Sequence, residues 1–225
     1  SMMVLSLCIV FLLFSNVATA QTFSGGDGSQ TTPYLISTPD DLTEMANYVN
    51  GTNGYTQNGF SGKYFTMTTD IDMSSITNFT PIGIGTTNDI SFQGIFDGNN
   101  NKVLNLKEEI TGKFGGLFGE IYKNGTNDAI VKNLGIIGAN IKQTNTTGSS
   151  IGALAGGVNG GSIINCYLRN SQVKAYYAFV GGLVGLISTA AHIYNCYTSG
   201  TTVELQGNKT DTRLGGLIGS CFSAT

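Results

Sequence analysis

Hydrophobic positions along this chain follow two different rules. Between residues 42 and 49 they recur at helical spacing: Leu42, Met45, Ala46 and Val49 stand at i, i+3, i+4 and i+7. Thr38 precedes this stripe as a cap, Pro39 fits the first turn, and Asp40 and Asp41 sit where the helix dipole is positive. Gly51 supplies the stop. After residue 100 the helical period disappears. Apolar residues there come in short runs rich in Val and Ile, each broken by Gly or Asn. That pattern predicts one short strand after another, turning at every break.

The breaks repeat. A glycine-leucine phrase occurs as GGLFG at 115–119, GALAG at 152–156, GGLVG at 181–185 and GGLIG at 215–219. A second phrase carries asparagine: VLNL at 103–106, VKNL at 131–134, IINC at 163–166 and IYNC at 193–196. Successive asparagines, Asn105, Asn133, Asn165 and Asn195, lie 28, 32 and 30 residues apart, and Ile141, Val173 and Val203 each follow the last three by eight. Fixed short spacings joined by elastic ones describe stacked coils with variable loops. The expected fold is all-β: a single-stranded right-handed parallel β-helix, or solenoid, with a short N-terminal capping α-helix. The cap is expected because a solenoid end otherwise exposes unpaired strand and core.

The asparagine phrase predicts a corner. Val103, Val131, Ile163 and Ile193 stand two residues before each Asn, and Leu106, Leu134, Cys166 and Cys196 one residue after. Residues three apart on a straight strand face opposite sides, so both can point inward only if the chain bends between them. Asn tolerates the left-handed conformation such a bend needs. Asn105, Asn133, Asn165 and Asn195 are therefore expected to form one structural ladder, amide on amide, with Cys166 and Cys196 as buried thiols in the adjoining core file. At GALAG, alanines thin one layer of the core.

Composition narrows the partners. The chain has 225 residues, 32 of them glycine, with 11% charged residues and a formal charge of -3. Such a balance lacks the basic clusters that nucleic acid requires. Residues 2–20 form an apolar run ending in Ala18-Thr19-Ala20, which reads as a secretory signal peptide over 1–20. No second apolar run follows, so no membrane span is expected once the signal is removed. The mature part divides into a cap with first coils (21–110) and repeats (111–225). The chain stops six residues after GGLIG, before the next asparagine phrase, and reads as a piece of a longer protein. With one histidine and no CxxC, neither metal nor cofactor is expected.

Asp70, Asp72 and Asp97 are the best carboxylate candidates for glycan cleavage, Asp70 and Asp72 at i, i+2 on one strand. They read better as a strand end and a turn, and no catalytic residue is assigned. Tyr167 and Tyr197 follow the two core cysteines and should face outward as a stacked pair able to bind a sugar or a partner protein. Five N-x-[ST] sequons occur, at Asn50, Asn78, Asn124, Asn145 and Asn208.

The four Gly-Leu-apolar-Gly copies together with NCY at 165–167 and 195–197 resemble the GLUG-motif proteins. PYLIST at 33–38, DIDM at 70–73, PIG at 81–83 and FQGIFDGNNNKVLNL at 92–106 are similar to the leader that precedes such repeats. The resemblance spans residues 33 to 219. It implies a β-helix at the cell exterior, where the motif also accompanies IgA-cleaving metallopeptidase domains, and it carries over no catalytic residues. The resulting expectation is a non-enzymatic, secreted or cell-surface module for adhesion, ligand binding or surface structure. Its partner would be an extracellular glycan or a host or surface protein. The alternative is a polysaccharide lyase or hydrolase built on a β-helix.

Overall fold

The structure is a computed structural model that describes residues 23–85, 90–144, 149–176, 178–188, 190–207 and 211–222. The expected signal peptide and the sequons at Asn145 and Asn208 lie outside the described residues.

Among the described residues the chain is an all-β solenoid with one short helix. Five parallel sheets run along it, and each regular coil visits them in the same order. The coil that starts at Ile95–Asp97 continues through Lys102–Leu104, Lys107–Ile110, Phe114–Gly115 and Phe118–Tyr122. These five strands define faces 1 to 5. The next coil repeats them from Ile130–Lys132 to Ala155–Asn159, the third from Ser162–Ile164 to Val184–Ser188, and the fourth from His192–Tyr194 to Ile218–Cys221. Every inter-coil pairing is parallel and in register, as Phe96↔Val131 on face 1 and Val103↔Ile136 on face 2 show. Residues 110 and 111 lie inside one coil, so the leader and the repeats share one core.

The helix, Pro39–Asn50, forms as its local sequence dictates. The Thr38 side chain accepts from the Asp41 N–H while the Asp41 carboxylate accepts from the Thr38 N–H, and Gly51 ends the helix at φ 64°. Leu42, Met45, Ala46 and Val49 are buried in the same core as the first coils. Asn50 ties the helix to the loop that follows face 2. Its Nδ2 donates to the Pro81 carbonyl, and its Oδ1 accepts from the Gly83 and Ile84 N–H groups. Asn50 is buried, so a glycan on this sequon would require its side chain to leave this site.

Core chemistry changes along the axis. The inward file of face 1 reads Tyr34, Phe65, Phe96, Val131, Ile163 and Ile193. Aromatic rings fill the end under the helix: Phe65 meets Phe60 edge-on at 5.0 Å and Phe96 meets Phe118 at 5.5 Å. Each fully buried Phe contributes roughly 2 kcal/mol of transfer free energy. Ala155 stacks directly on Phe118 and under Val184. The small residue of GALAG thus lies between two larger side chains of its file, Phe118 below and Val184 above.

The glycines of the GGLxG phrases answer a packing need more than a conformational one. Among them only Gly116 has a positive φ, 136°. A Cβ on Gly185 would lie 2.3 Å from the Ile151 nitrogen, so backbone from the coil below occupies the space a side chain would need.

One sequence expectation needs correction. Asn105 does not belong to the ladder of the other three asparagines. Val103 pairs with Ile136 and Ile71 on face 2, whereas Val131, Ile163 and Ile193 pair on face 1. VLNL therefore occupies the strand after the one that VKNL, IINC and IYNC occupy. The two corners have the same local grammar, an apolar residue two before and one after a left-handed residue, so sequence alone aligned them.

Candidate functional site

The corner between faces 1 and 2 turns at Asn133, Asn165 and Asn195, with φ of 53°, 54° and 49°. Their amides form a chain parallel to the axis. Asn195 Nδ2 donates to Asn165 Oδ1 at 2.8 Å, Asn165 Nδ2 to Asn133 Oδ1 at 3.0 Å, and Asn133 Nδ2 to Asp97 Oδ1 at 3.0 Å. Asp97 ends the chain because a carboxylate only accepts. Lys132 balances its charge at 3.2 Å. Burial pushes the Asp97 carboxyl up, but the Asn133 amide, the Asn99 N–H and Lys132 together outweigh it and hold the acid below its ordinary value. Asn165 and Asn195 are exposed.

Aromatic rings flank this amide chain on both sides. On face 2, Tyr167 and Tyr197 pair in register and stack with centroids 5.2 Å apart and planes 7° from parallel. Tyr167 leans over Gly135 of the coil below, where a Cβ would come within 2.4 Å of the ring. On face 1, His192 and Tyr194 stack at 5.6 Å and 13°. Tyr194 and Tyr197 are about half exposed, at 54% and 50%. The outcome is one surface with two ring pairs separated by a row of amides. Sequence reasoning identified the tyrosine pair but missed His192 and Tyr194. The signal was present: both are outward positions of HIY at 192–194, on either side of the inward Ile193.

The three acids considered for catalysis are each tied to structure. Asp70 pairs with Lys102 at 3.0 Å and also accepts from the Lys102 N–H. Asp72 accepts from Asn105 Nδ2 at 2.9 Å and from the Ser74 N–H, and these bonds lower its pKa. Asp97 is the base of the ladder. A general acid needs a raised pKa, and Asp72 and Asp97 are shifted the other way. Among the described residues, no three or more His, Cys, Asp or Glu side chains are grouped to hold a metal ion.

Cys166 and Cys196 are free and stack on Leu134 in the inward file of this corner. The Cys166 N–H donates to Cys196 Sγ at 3.4 Å. The thiol–thiol hydrogen bond and burial push Cys166 far above the ordinary thiol range, so the first proton to leave the pair is that of Cys196.

No family model matches the chain. Over 161 residues, 67% of its length, it is 29% identical to a provisionally named Gly-rich membrane protein of Evansella cellulosilytica. The match covers 17% of that relative, so the chain spans about a sixth of the protein it resembles. Among solved structures it is similar to a provisionally named immunoglobulin A1 protease from Bacteroides ovatus. That overlay has a TM-score of 0.49 at 17% identity and covers 89% of this chain and 78% of the other. No helix among the described residues is long and apolar enough to cross a membrane. The fold assignment rests on the strand pairing of this chain itself.

Proposed function

We propose that this protein is a non-catalytic, secreted or cell-surface β-helix of the GLUG-repeat kind whose aromatic and amide corner binds an extracellular glycan. One observation carries the reading: the Tyr167–Tyr197 and His192–Tyr194 stacks stand on either side of an exposed amide row. Rings offer flat apolar faces for the C–H surface of a sugar. Asn133 and Asn165 each spend one N–H and one lone pair on their neighbours and Asn195 spends one N–H, which leaves a second N–H and at least one lone pair on each amide for sugar hydroxyls. The coil spacing of about 4.8 Å lets successive rings and amides meet an extended polymer at several points. Placement at the surface is supported by the name of the Evansella relative and by the apolar leader at residues 2–20.

A glycan array probed with the intact protein tests this. Replacing both Tyr167 and Tyr197 by alanine should weaken binding about tenfold or more, given the ~0.5–1.5 kcal/mol that each aromatic contact carries beyond its area. Tyr194→Ala should weaken it by a smaller factor. Unchanged binding in the double variant would remove the site. Cleavage of a polysaccharide by the wild-type protein, lost when Asp70, Asp72 and Asp97 are all alanine, would replace binding with catalysis.

A further inference from the structure

Most cations among the described residues are neutralised or covered where they stand. Lys102, Lys123, Lys132 and Lys174 each pair with a carboxylate at 2.7 to 3.2 Å. Lys113 and Arg213 lie over phenylalanine rings, and Lys63 donates to the Asp27 carbonyl. Face 3 carries Lys107 and Lys142 on its outer side, around an inward file of Glu108, Ile141, Val173 and Val203. Those two lysines share Glu109, which follows Lys107 by two residues and pairs in register with Lys142. Arg169 is left. Among the described residues it is the cation whose side chain has no ion pair, no ring and no acid as a strand neighbour.

Its strand places that charge. Tyr167, Leu168 and Arg169 form face 2 of the third coil, with Leu168 buried and the other two pointing outward. Side chains two residues apart on a strand share a side and stand about 6.6 Å apart, so Arg169 is next to the Tyr167–Tyr197 stack. Along the axis Arg169 lies over Ile137 and under Ser199. The acid of that column is Asp72, three strands lower beneath Leu104. At the usual coil spacing it is about 14 Å away, beyond the ~8 Å over which physiological salt screens charge. Asp97, at the foot of the amide ladder, is neutralised by Lys132. The aromatic corner of a chain with net charge -3 thus has an exposed, uncompensated guanidinium at its edge.

We propose that the glycan held at this corner is a polyuronate, with the ring carboxylate of one sugar paired to the Arg169 guanidinium. The assignment rests on the corner's binding a glycan at all, and adds the charge of that glycan. A uronic acid carries its carboxylate on C5 of the pyranose. A ring seated against Tyr167 and Tyr197 therefore presents that group within reach of a long side chain two residues along the strand. The planar fork of arginine meets both carboxylate oxygens with parallel charge-assisted hydrogen bonds. A neutral sugar would leave the guanidinium to water.

The test measures binding of the intact protein near pH 7 to polygalacturonate, alginate and glucuronan, and to the methyl ester of each, which keeps the sugar and removes the charge. At least one acid chain should bind about fivefold or more tighter than its own ester at about 0.15 M NaCl, and the gap should close at about 1 M. Arg169→Ala should bring the acid down to the level of the ester and leave the ester unchanged, which also shows that the variant is folded. Lys63→Ala, which removes an equal charge from another coil, should alter neither. Replacing Tyr167 and Tyr197 by alanine should weaken acid and ester together. If acid and ester bind alike and both need the tyrosines, the polyuronate assignment fails while glycan binding at the corner stands. It fails equally if Arg169→Ala keeps the preference for acid, or if Lys63→Ala loses it. If no acid, no ester and no neutral glycan binds, both readings fall.

Discussion

Two corners of the same coil solve one problem in different ways. Between faces 1 and 2, every described repeat coil turns at asparagine, and the side chains stack amide on amide. Between faces 2 and 3, the left-handed residue alternates: Asn105, Gly138, Asn170 and Gly200 have φ of 57°, 71°, 48° and 61°. The N–H groups of the first three bond upward to the carbonyls of Ile137, Arg169 and Ser199 in turn, so the four form one file. Here an asparagine covers the glycine above it. A Cβ on Gly138 would lie 3.0 Å from Asn105 Oδ1, and one on Gly200 would lie 2.6 Å from Asn170 Oδ1. The first corner links its coils through side chains; the second shares one side-chain volume between two coils. Each file starts on an aspartate, Asp97 in one and Asp72 in the other, which accepts the first amide. The lesson is that a left-handed φ fixes the choice of Asn or Gly, while the neighbour one coil away decides which.

The comparison breaks most sharply at Asn165, in the middle of the amide chain. Asn165→Val should cost about 3 kcal/mol in urea unfolding, from a β-branched residue in left-handed backbone plus two lost amide bonds. Asn165→Gly keeps the backbone and should cost only about 1 kcal/mol, so the difference isolates conformation from hydrogen bonding. At the other corner, Gly200→Ala should cost about 2 kcal/mol, since it adds both left-handed strain and a contact with Asn170. Adding Asn170→Gly should recover part of that loss, with a coupling of about 1 kcal/mol in a double-mutant cycle. Zero coupling would mean the alternation is coincidental.

Acid provides a smaller test. The folded pKa of Asp97 is depressed, so its contribution is fully present above the ordinary value of 3.8 and is lost as pH falls through the folded pKa. Urea midpoints measured downward from pH 4 should therefore fall less steeply in Asp97→Asn than in wild type. Smallest of all, Tyr197→Ala should change stability by about 0.5 kcal/mol or less, because a half-exposed cross-strand pair contributes little. That near-neutrality makes it a clean probe of glycan binding.

Much of the fold was legible. The helix and its caps follow from Thr38, Pro39, Asp41 and Gly51, which act on their immediate neighbours. The inward files follow from period-2 alternation in strands of three or four residues, such as those that carry Ile163 and Val173. The Asn133–Asn165–Asn195 chain follows from spacing and the φ that Asn tolerates. The register of Asn105 was not legible, because two successive corners use the same local pattern. Nor was Glu108: nothing in KEEI at 107–110 marks its second residue as buried, since Lys107 and Glu109 beside it are exposed. The His192–Tyr194 pair could be read from the outward positions of HIY, but its place beside the ladder emerged only where face 1 and face 2 meet at a shared edge.

By itself the sequence determined where the backbone must bend and which residue of each strand must hide, because left-handed φ and side-chain alternation act within a few residues. Tertiary structure alone decided which bend stacks on which, that an acid fills an aliphatic slot, and that rings from two faces share a surface with the amides. Those outcomes depend on residues some thirty positions apart that meet one coil away, and no local preference encodes that distance.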